Sequence, residues 1–155
     1  MTKPLRLLAL LLTAATLSAT GPASASSGVE SDLAHHGRVV YEDDGRLDLH
    51  LRTWNHGPAS LASGTVQLTF STAVTGPLPT ACARRTPTVL LCETGPLRAG
   101  TPSPTPLHLT LRVPNTPDEL WLDIQTARPT ATRDLNPAND HQHVLALSTG
   151  DPYYF

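Results

Sequence analysis

Apolar residues recur at every second position in several stretches of this chain. Residues 46–52 put Leu47, Leu49 and Leu51 on one side and Asp48, His50 and Arg52 on the other. Residues 65–70 repeat the pattern through Val66, Leu68 and Phe70, and residues 107–113 through Leu107, Leu109, Leu111 and Val113. Residues 120–125 and 143–147 follow it, and 37–42 and 88–92 are shorter examples. A period of two sends alternate side chains to opposite faces, so each stretch predicts a β-strand with one buried face. Gly and Pro punctuate the intervals, and beyond the N-terminal 25 residues no run of twelve keeps a helical period without a proline. The pattern predicts an all-β fold: an Ig-like two-sheet antiparallel sandwich of about seven strands over residues 37–148. Residues 101–106, Thr-Pro-Ser-Pro-Thr-Pro, lack alternate donors and are expected at an edge or as an extended connector.

The N-terminus has a different pattern. Lys3 and Arg6 precede an apolar run from Leu7 to Leu17 broken only by Thr13 and Thr16, and Ala23-Ser24-Ala25 presents small residues for cleavage. That order predicts a helical signal peptide over 1–25, cut after Ala25. The run is shorter than the roughly 20 residues a bilayer span needs. A secreted, extracellular protein with no membrane anchor after cleavage is therefore expected. Residues 26–36 are Ser/Gly-rich and polar and read as a flexible leader. Residues 149–155 read as a C-terminal tail whose Tyr153, Tyr154 and Phe155 either pin the terminus or dock elsewhere.

Composition narrows the picture. Fifteen prolines argue against a helical bundle. The net charge is -2, and without Lys3 and Arg6 nine arginines face thirteen acids, a net of -4. A polybasic surface for nucleic acid is thereby excluded. Cys82 and Cys92 are the only cysteines, and in an oxidising compartment an even count predicts a disulfide. The closed loop of 11 residues is worth about 2.8 kcal/mol by chain entropy. Two free thiols or half of a zinc site are the alternatives. Free thiols oxidise outside the cell, and zinc would need two further ligands where no Cys-x-x-Cys exists.

Several turns then form a recognisable set. Trp54-Asn55-His56-Gly57-Pro58-Ala59 follows an alternating strand with an N-x-G-P turn, and Leu97 to Gly100 gives L-x-x-G. Cys82 and Cys92 flank a hairpin, and residues 134–140 approximate D-x-N-P-x-N-N, with Asp140 in the last place. In this order, over about residues 38–148, the chain resembles domain of unknown function family eleven, an Ig-like β-sandwich repeat of bacterial surface and secreted proteins. The family usually occurs in tandem, and this chain carries one copy. The resemblance implies an Ig-like fold and a non-enzymatic surface role. Asn55, Gly57, Pro58, Asn136, Pro137 and Asn139 are expected as turn builders, through Asx bonds, left-handed backbone or a fixed φ.

Candidate chemistry is sparse. His141 and His143 are two apart and share a strand face, which suits a pair of metal ligands, though solvated polar positions are the plainer reading. Acids gather at Glu42-Asp43-Asp44 and at Asp134 with Asp140, where calcium is conceivable and hairpin turns are simpler. Neither Gly-x-Ser-x-Gly nor His-Glu-x-x-His occurs. Trp54 and Trp121 fall in phase with the outward faces of their strands, as stacking surfaces for a sugar or anchors for a partner, though covering a sheet edge or packing under a loop is the plainer reading. Arg84-Arg85, inside the disulfide loop, could be bait for a trypsin-like protease. The expectation is a secreted non-catalytic binding module, with an extracellular or cell-envelope partner and no cofactor. The alternatives are a metal-assisted hydrolase using His141 and His143, or a protease inhibitor presenting Arg84 and Arg85.

Overall fold

Alternation becomes strands along most of the chain. The structure, a computed structural model, describes residues 30–127, 133–134 and 136–155. The expected signal peptide and residues 26–29 lie outside them. The strands are β1 (Glu30–Ser31), β2 (Leu33–Tyr41), β3 (Arg46–Asn55), β4 (Thr65–Phe70), β5 (Cys82–Thr86) and β6 (Val89–Glu93). They continue with β7 (Thr101–Pro102), β8 (Leu107–Arg112), β9 (Glu119–Thr126), β10 (Arg133–Asp134), β11 (His141–Leu147) and β12 (Pro152–Tyr154). Among the described residues the protein is an all-β domain of three sheets with no helix.

The first sheet runs β12-β2-β3, with β7 and β8 both pairing along the far side of β3. The second runs β11-β9-β4-β6-β5, and every pairing in these two sheets is antiparallel. The third is a parallel pair, β1 with β10. Leu47, Leu49, Leu51, Leu109 and Leu111 of the first sheet join Leu68, Phe70, Leu90, Leu120, Leu122 and Ile124 of the second in one buried cluster. Each strand's apolar phase therefore faces the other sheet, which is where burial stabilises it. Asp44-Gly45 makes the β2–β3 hairpin: Gly45 is left-handed at φ 82°, and the Arg46 amide donates to Asp44 Oδ1 at 2.9 Å.

Cys82 and Cys92 stand directly opposite on β5 and β6 and form a disulfide. Cys92 is buried in the core, so the bridge fastens the outermost strand of the second sheet to the apolar interior.

Two expected boundaries move. The stretch assigned to a flexible leader, residues 26–36, is strand from Glu30 onward except at Asp32. Leu33, Ala34 and His35 are buried there. Leu33 packs with Leu61 and Leu97 in a small second cluster, and hydrogen bonds satisfy the His35 ring. The polar composition hid a segment whose polar groups are internally partnered. At the other terminus the expected tail ends in β12, which pairs with β2. Tyr153 and Phe155 pack against the core, and Gly37 and Phe155 exchange backbone hydrogen bonds of 3.0 and 3.1 Å. A Cβ at Gly37 would lie 2.9 Å from the Phe155 ring and 2.0 Å from the His50 carbonyl oxygen, so the close approach requires glycine.

Candidate functional site

The outer face of the second sheet carries the densest set of candidate side chains. In β9, Leu120, Leu122 and Ile124 are buried, which turns Trp121, Asp123 and Gln125 outward. In register on β11 stand Leu145, His143 and His141. The Trp121 and His143 rings stack with centroids 4.6 Å apart and planes 18° from parallel. His143 Nδ1 lies 2.5 Å from Asp123 Oδ1, and His141 Nε2 lies 3.6 Å from the same oxygen. The two histidines thus share a face, and a carboxylate holds the space between them. Sequence reasoning singled out both histidines and Trp121 but passed over Asp123. The signal was present, since Trp121, Asp123 and Gln125 share one phase of the alternation.

The face continues across β4 and β6. Gln67 Nε2 donates to Thr69 Oγ1 at 3.2 Å. The Glu93 carboxylate accepts hydrogen bonds from Ser63 Oγ at 2.7 Å and Thr65 Oγ1 at 3.0 Å. Over β4, β6 and β5 lies a shallow depression of about 850 Å³ lined by Thr65, Gln67, Ala83, Arg85, Leu91 and Glu93 among others. A separate apolar hollow of about 510 Å³ opens between the 103–106 connector and the 79–81 loop, with Pro79, Pro96, Pro104 and Pro106 in its lining. Among the described residues no group of three or more His, Cys, Asp or Glu side chains is arranged to hold a metal ion. The Trp121 face offers stacking and hydrogen bonding on an open surface.

Trp54 belongs to the opposite side of the molecule. It lies on the outer face of the first sheet, half-buried, with its ring 5.6 Å from that of His56. The two tryptophans therefore cannot grip one ligand together. Toward the other end of this outer face, near the β2–β3 hairpin, the polar groups are already paired. Arg46 meets Asp48 at 2.9 Å, Thr110 Oγ1 donates to Asp48 at 2.7 Å, and Arg112 meets Asp44 at 3.0 Å. The Asp44 carboxyl is held below its usual range by the Arg46 backbone N–H and then by Arg112. His50 and His108 face each other at 3.8 Å, and partial burial, then the neighbouring imidazole and Arg38, lower the His50 pKa.

The turn residues are structural. Asn55 is fully buried: its Oδ1 accepts from the Gly57 amide at 3.1 Å and the Asp32 amide at 3.4 Å. Its Nδ2 donates to the carbonyls of Ala59 at 2.7 Å and Leu97 at 3.2 Å. This is the expected Asx turn, extended to tie three chain segments. Gly57 is glycine for another reason than left-handed backbone. A Cβ there would sit 2.6 Å from main-chain atoms of Ser31 and Asp32. Pro58 then leads to Ala59, whose amide donates to the Glu30 carbonyl. In the second turn the Asn139 amide donates to the Asn136 carbonyl at 3.1 Å, which puts Pro137 in the second position of a β-turn. Asp134 accepts from the Asn136 and Leu33 amides at 2.8 and 3.0 Å. Burial, followed by the charge of Asp134, raises the Asp140 pKa.

Arg84 and Arg85 separate in role. Arg84 lies back along the 74–76 loop and donates to the Val74 carbonyl at 2.5 Å and the Gly76 carbonyl at 3.4 Å. Arg85 is exposed on β5, at the bulge that interrupts its pairing with β6.

Sequence reasoning also missed His35. Its side chain is 1% exposed and links two sheets, with Nδ1 3.1 Å from Thr53 Oγ1 on β3 and Nε2 3.1 Å from Thr126 Oγ1 on β9. Burial, and secondarily His36, lowers its pKa to about 4. No spacing rule marks such a residue; only the fold brings the two hydroxyls to it. Compared with protein-family models, curated proteins and solved structures, the chain matches none.

Proposed function

We propose that this protein is an exported, non-catalytic binding module of the Ig-like two-sheet type, which uses the Trp121 face of its second sheet to hold a component of the cell envelope. The fold half of the reading is supported by two antiparallel sheets that share one core and by the turn set that resembles the bacterial surface repeat. Export is supported by the charged, apolar and small-residue order of the first 25 positions. A disulfide suits that compartment.

One observation carries the functional half. Trp121 is 38% exposed and is held in a fixed stack on His143 beside Asp123, on a face whose inward neighbours already complete the core. An ordered indole left at the surface loses little entropy when it captures a ligand. Arg84 favours no inhibitor reading, because both terminal nitrogens of its guanidinium turn back to carbonyls of the neighbouring 74–76 loop. The experiment is cosedimentation with isolated envelopes of the producing cells. Wild type and Trp54→Ala should sediment, and Trp121→Ala should stay in the supernatant. Equal sedimentation of all three, or of none, contradicts the proposal.

A further inference from the structure

This inference names the ligand class for the face just described and rests on that reading. Strand register lines its side chains into rows. Ala83, Leu91, Gln67, Gln125 and His141 stand opposite one another across five strands. Thr86, Val89, Thr69, Asp123 and His143 form the next row, and Trp121 with Leu145 begins a third. At about 4.8 Å per strand spacing, a five-strand row is about 19 Å long.

Three properties of these rows limit what can lie on them. The first is charge. Asp123 is bonded to His143, and Glu93 is bonded to the hydroxyls of Ser63 and Thr65, so the two carboxylates are engaged within the face and do not form a cluster. Arg85 is the one arginine of the depression, and a single cation makes no field for a polyanion. The second is apolar area. Trp121 is the one large hydrophobic residue exposed on this face among the described residues; Val89, Leu91 and Leu145 are partly covered. Protein partners are generally anchored on a drier, apolar centre. What remains is a set of hydroxyls and amides, Thr65, Gln67, Thr69 and Gln125: the Thr65 proton is given to Glu93 and one Gln67 proton to Thr69, which leaves Thr65 as an acceptor and the amides of Gln67 and Gln125 to donate and accept. The third is shape. The depression is shallow and open along the sheet, whereas small-molecule sites enclose their ligands.

We propose that the outer face of the second sheet is a glycan platform, on which an uncharged polysaccharide chain lies across the strands with one sugar ring against the Trp121 indole. The sugar's C–H face meets the ring, and its hydroxyls exchange hydrogen bonds with the amide and threonine side chains. The Trp121–His143 stack holds the indole in place, and Asp123 fixes the imidazole beneath it.

The test divides the envelope and then replaces it. Envelopes are treated with proteinase or with periodate before cosedimentation. Separately, the protein is run by affinity electrophoresis through gels containing glycol chitin, hydroxyethyl cellulose or xylan. The proposal expects binding that survives proteinase, and retardation by at least one of the three polymers; binding is lost after periodate if cellulose or xylan, whose sugars carry vicinal diols, retards the protein, and is kept if only glycol chitin does. It expects Trp121→Ala to weaken that retardation about tenfold. Gln125→Ala should weaken it less, and Trp54→Ala should leave it unchanged. Circular dichroism of each variant separates lost binding from lost folding, and Gln125→Ala carries the test should Trp121→Ala fail to fold. Binding that is lost to proteinase and kept after periodate overturns the glycan assignment while the binding module stands. Retention after both treatments, with no polymer retarding the protein, overturns it too. No binding to untreated envelopes overturns both readings.

Discussion

The interior between the two large sheets and the end of the molecule around Asn55 are held by different chemistry. Between the sheets, Leu47, Leu49, Leu68, Leu90, Leu109, Leu111, Leu120, Leu122 and Ile124 are fully buried and contribute no polar side-chain atom. At the Asn55 end the apolar part is only Leu33, Leu61 and Leu97. Around them Asn55, His35, Thr53, Thr126, Asp134 and Asn139 tie Asp32, β2, β3, β9 and β10 by side-chain hydrogen bonds. The interior gains by area, so its energy is spread over many exchangeable side chains. The polar end gains by pairing, so losing one partner leaves others buried and unsatisfied.

That contrast orders the expected effects of substitution. Leu49→Ala, at a fully buried position, should cost about 3–4 kcal/mol in urea unfolding. Leu49→Met should cost about 1 kcal/mol, since volume is kept. If the two cost the same, the interior is not packed as described.

Acid should act most strongly on the polar end, where the shifted histidine is the most deeply buried. The imidazole of His35 titrates near 6.5 in the unfolded chain and at about 4 in the folded one. Between those values the unfolded state takes up the extra proton, so stability is full above about pH 6.5 and falls as pH drops toward 4. The charges around it are His36 beside it in β2, Arg52 paired with His36 on β3, and Asp140 and His141 past Thr126. The linked loss is about 3 kcal/mol. His35→Gln keeps a donor and an acceptor and does not titrate, so its stability curve should lack that limb. Parallel wild-type and variant curves between pH 4 and 7 would show that the ring is not a buried neutral group.

Two asparagines sharpen the comparison further. Asn55→Ala removes four hydrogen bonds and leaves the Gly57 amide without its acceptor, while the Leu97 carbonyl keeps the Leu61 amide, and should cost about 2–3 kcal/mol. Asn139→Ala removes one bond to Asp32, and Asn139 Oδ1 is already buried without a hydrogen-bond partner, so about 1 kcal/mol or less is expected. Thermal unfolding of the pair checks the order.

Legibility in the sequence follows the same division. The seven alternating stretches correspond to β2, β3, β4, β6, β8, β9 and β11, because their period encodes a buried face. The other five strands have two to five residues and no usable period. β5 is exposed along most of its length, and β12 begins with a proline tolerated at the sheet edge it occupies. The leader was misread because Glu30 to His36 is polar in composition, while its burial depends on Thr53, Thr126 and Asn55 far along the chain. The outward phase of Trp54 and Trp121 was legible; their placement on different sheets was not, since strand order is a tertiary property. Asp123 was legible in phase, and its contact with both histidines was not, since that depends on the β9–β11 register.

The central claim is that the second sheet presents the binding face and the first does not. Amide chemical-shift mapping, during titration with whichever soluble glycan retards the protein, tests it most directly. The account predicts shifts concentrated at Gln67, Thr69, Asp123, Gln125 and His143, with Arg38, Asp48, His50 and Thr110 unmoved. Shifts centred on those four residues of β2, β3 and β8 would contradict it.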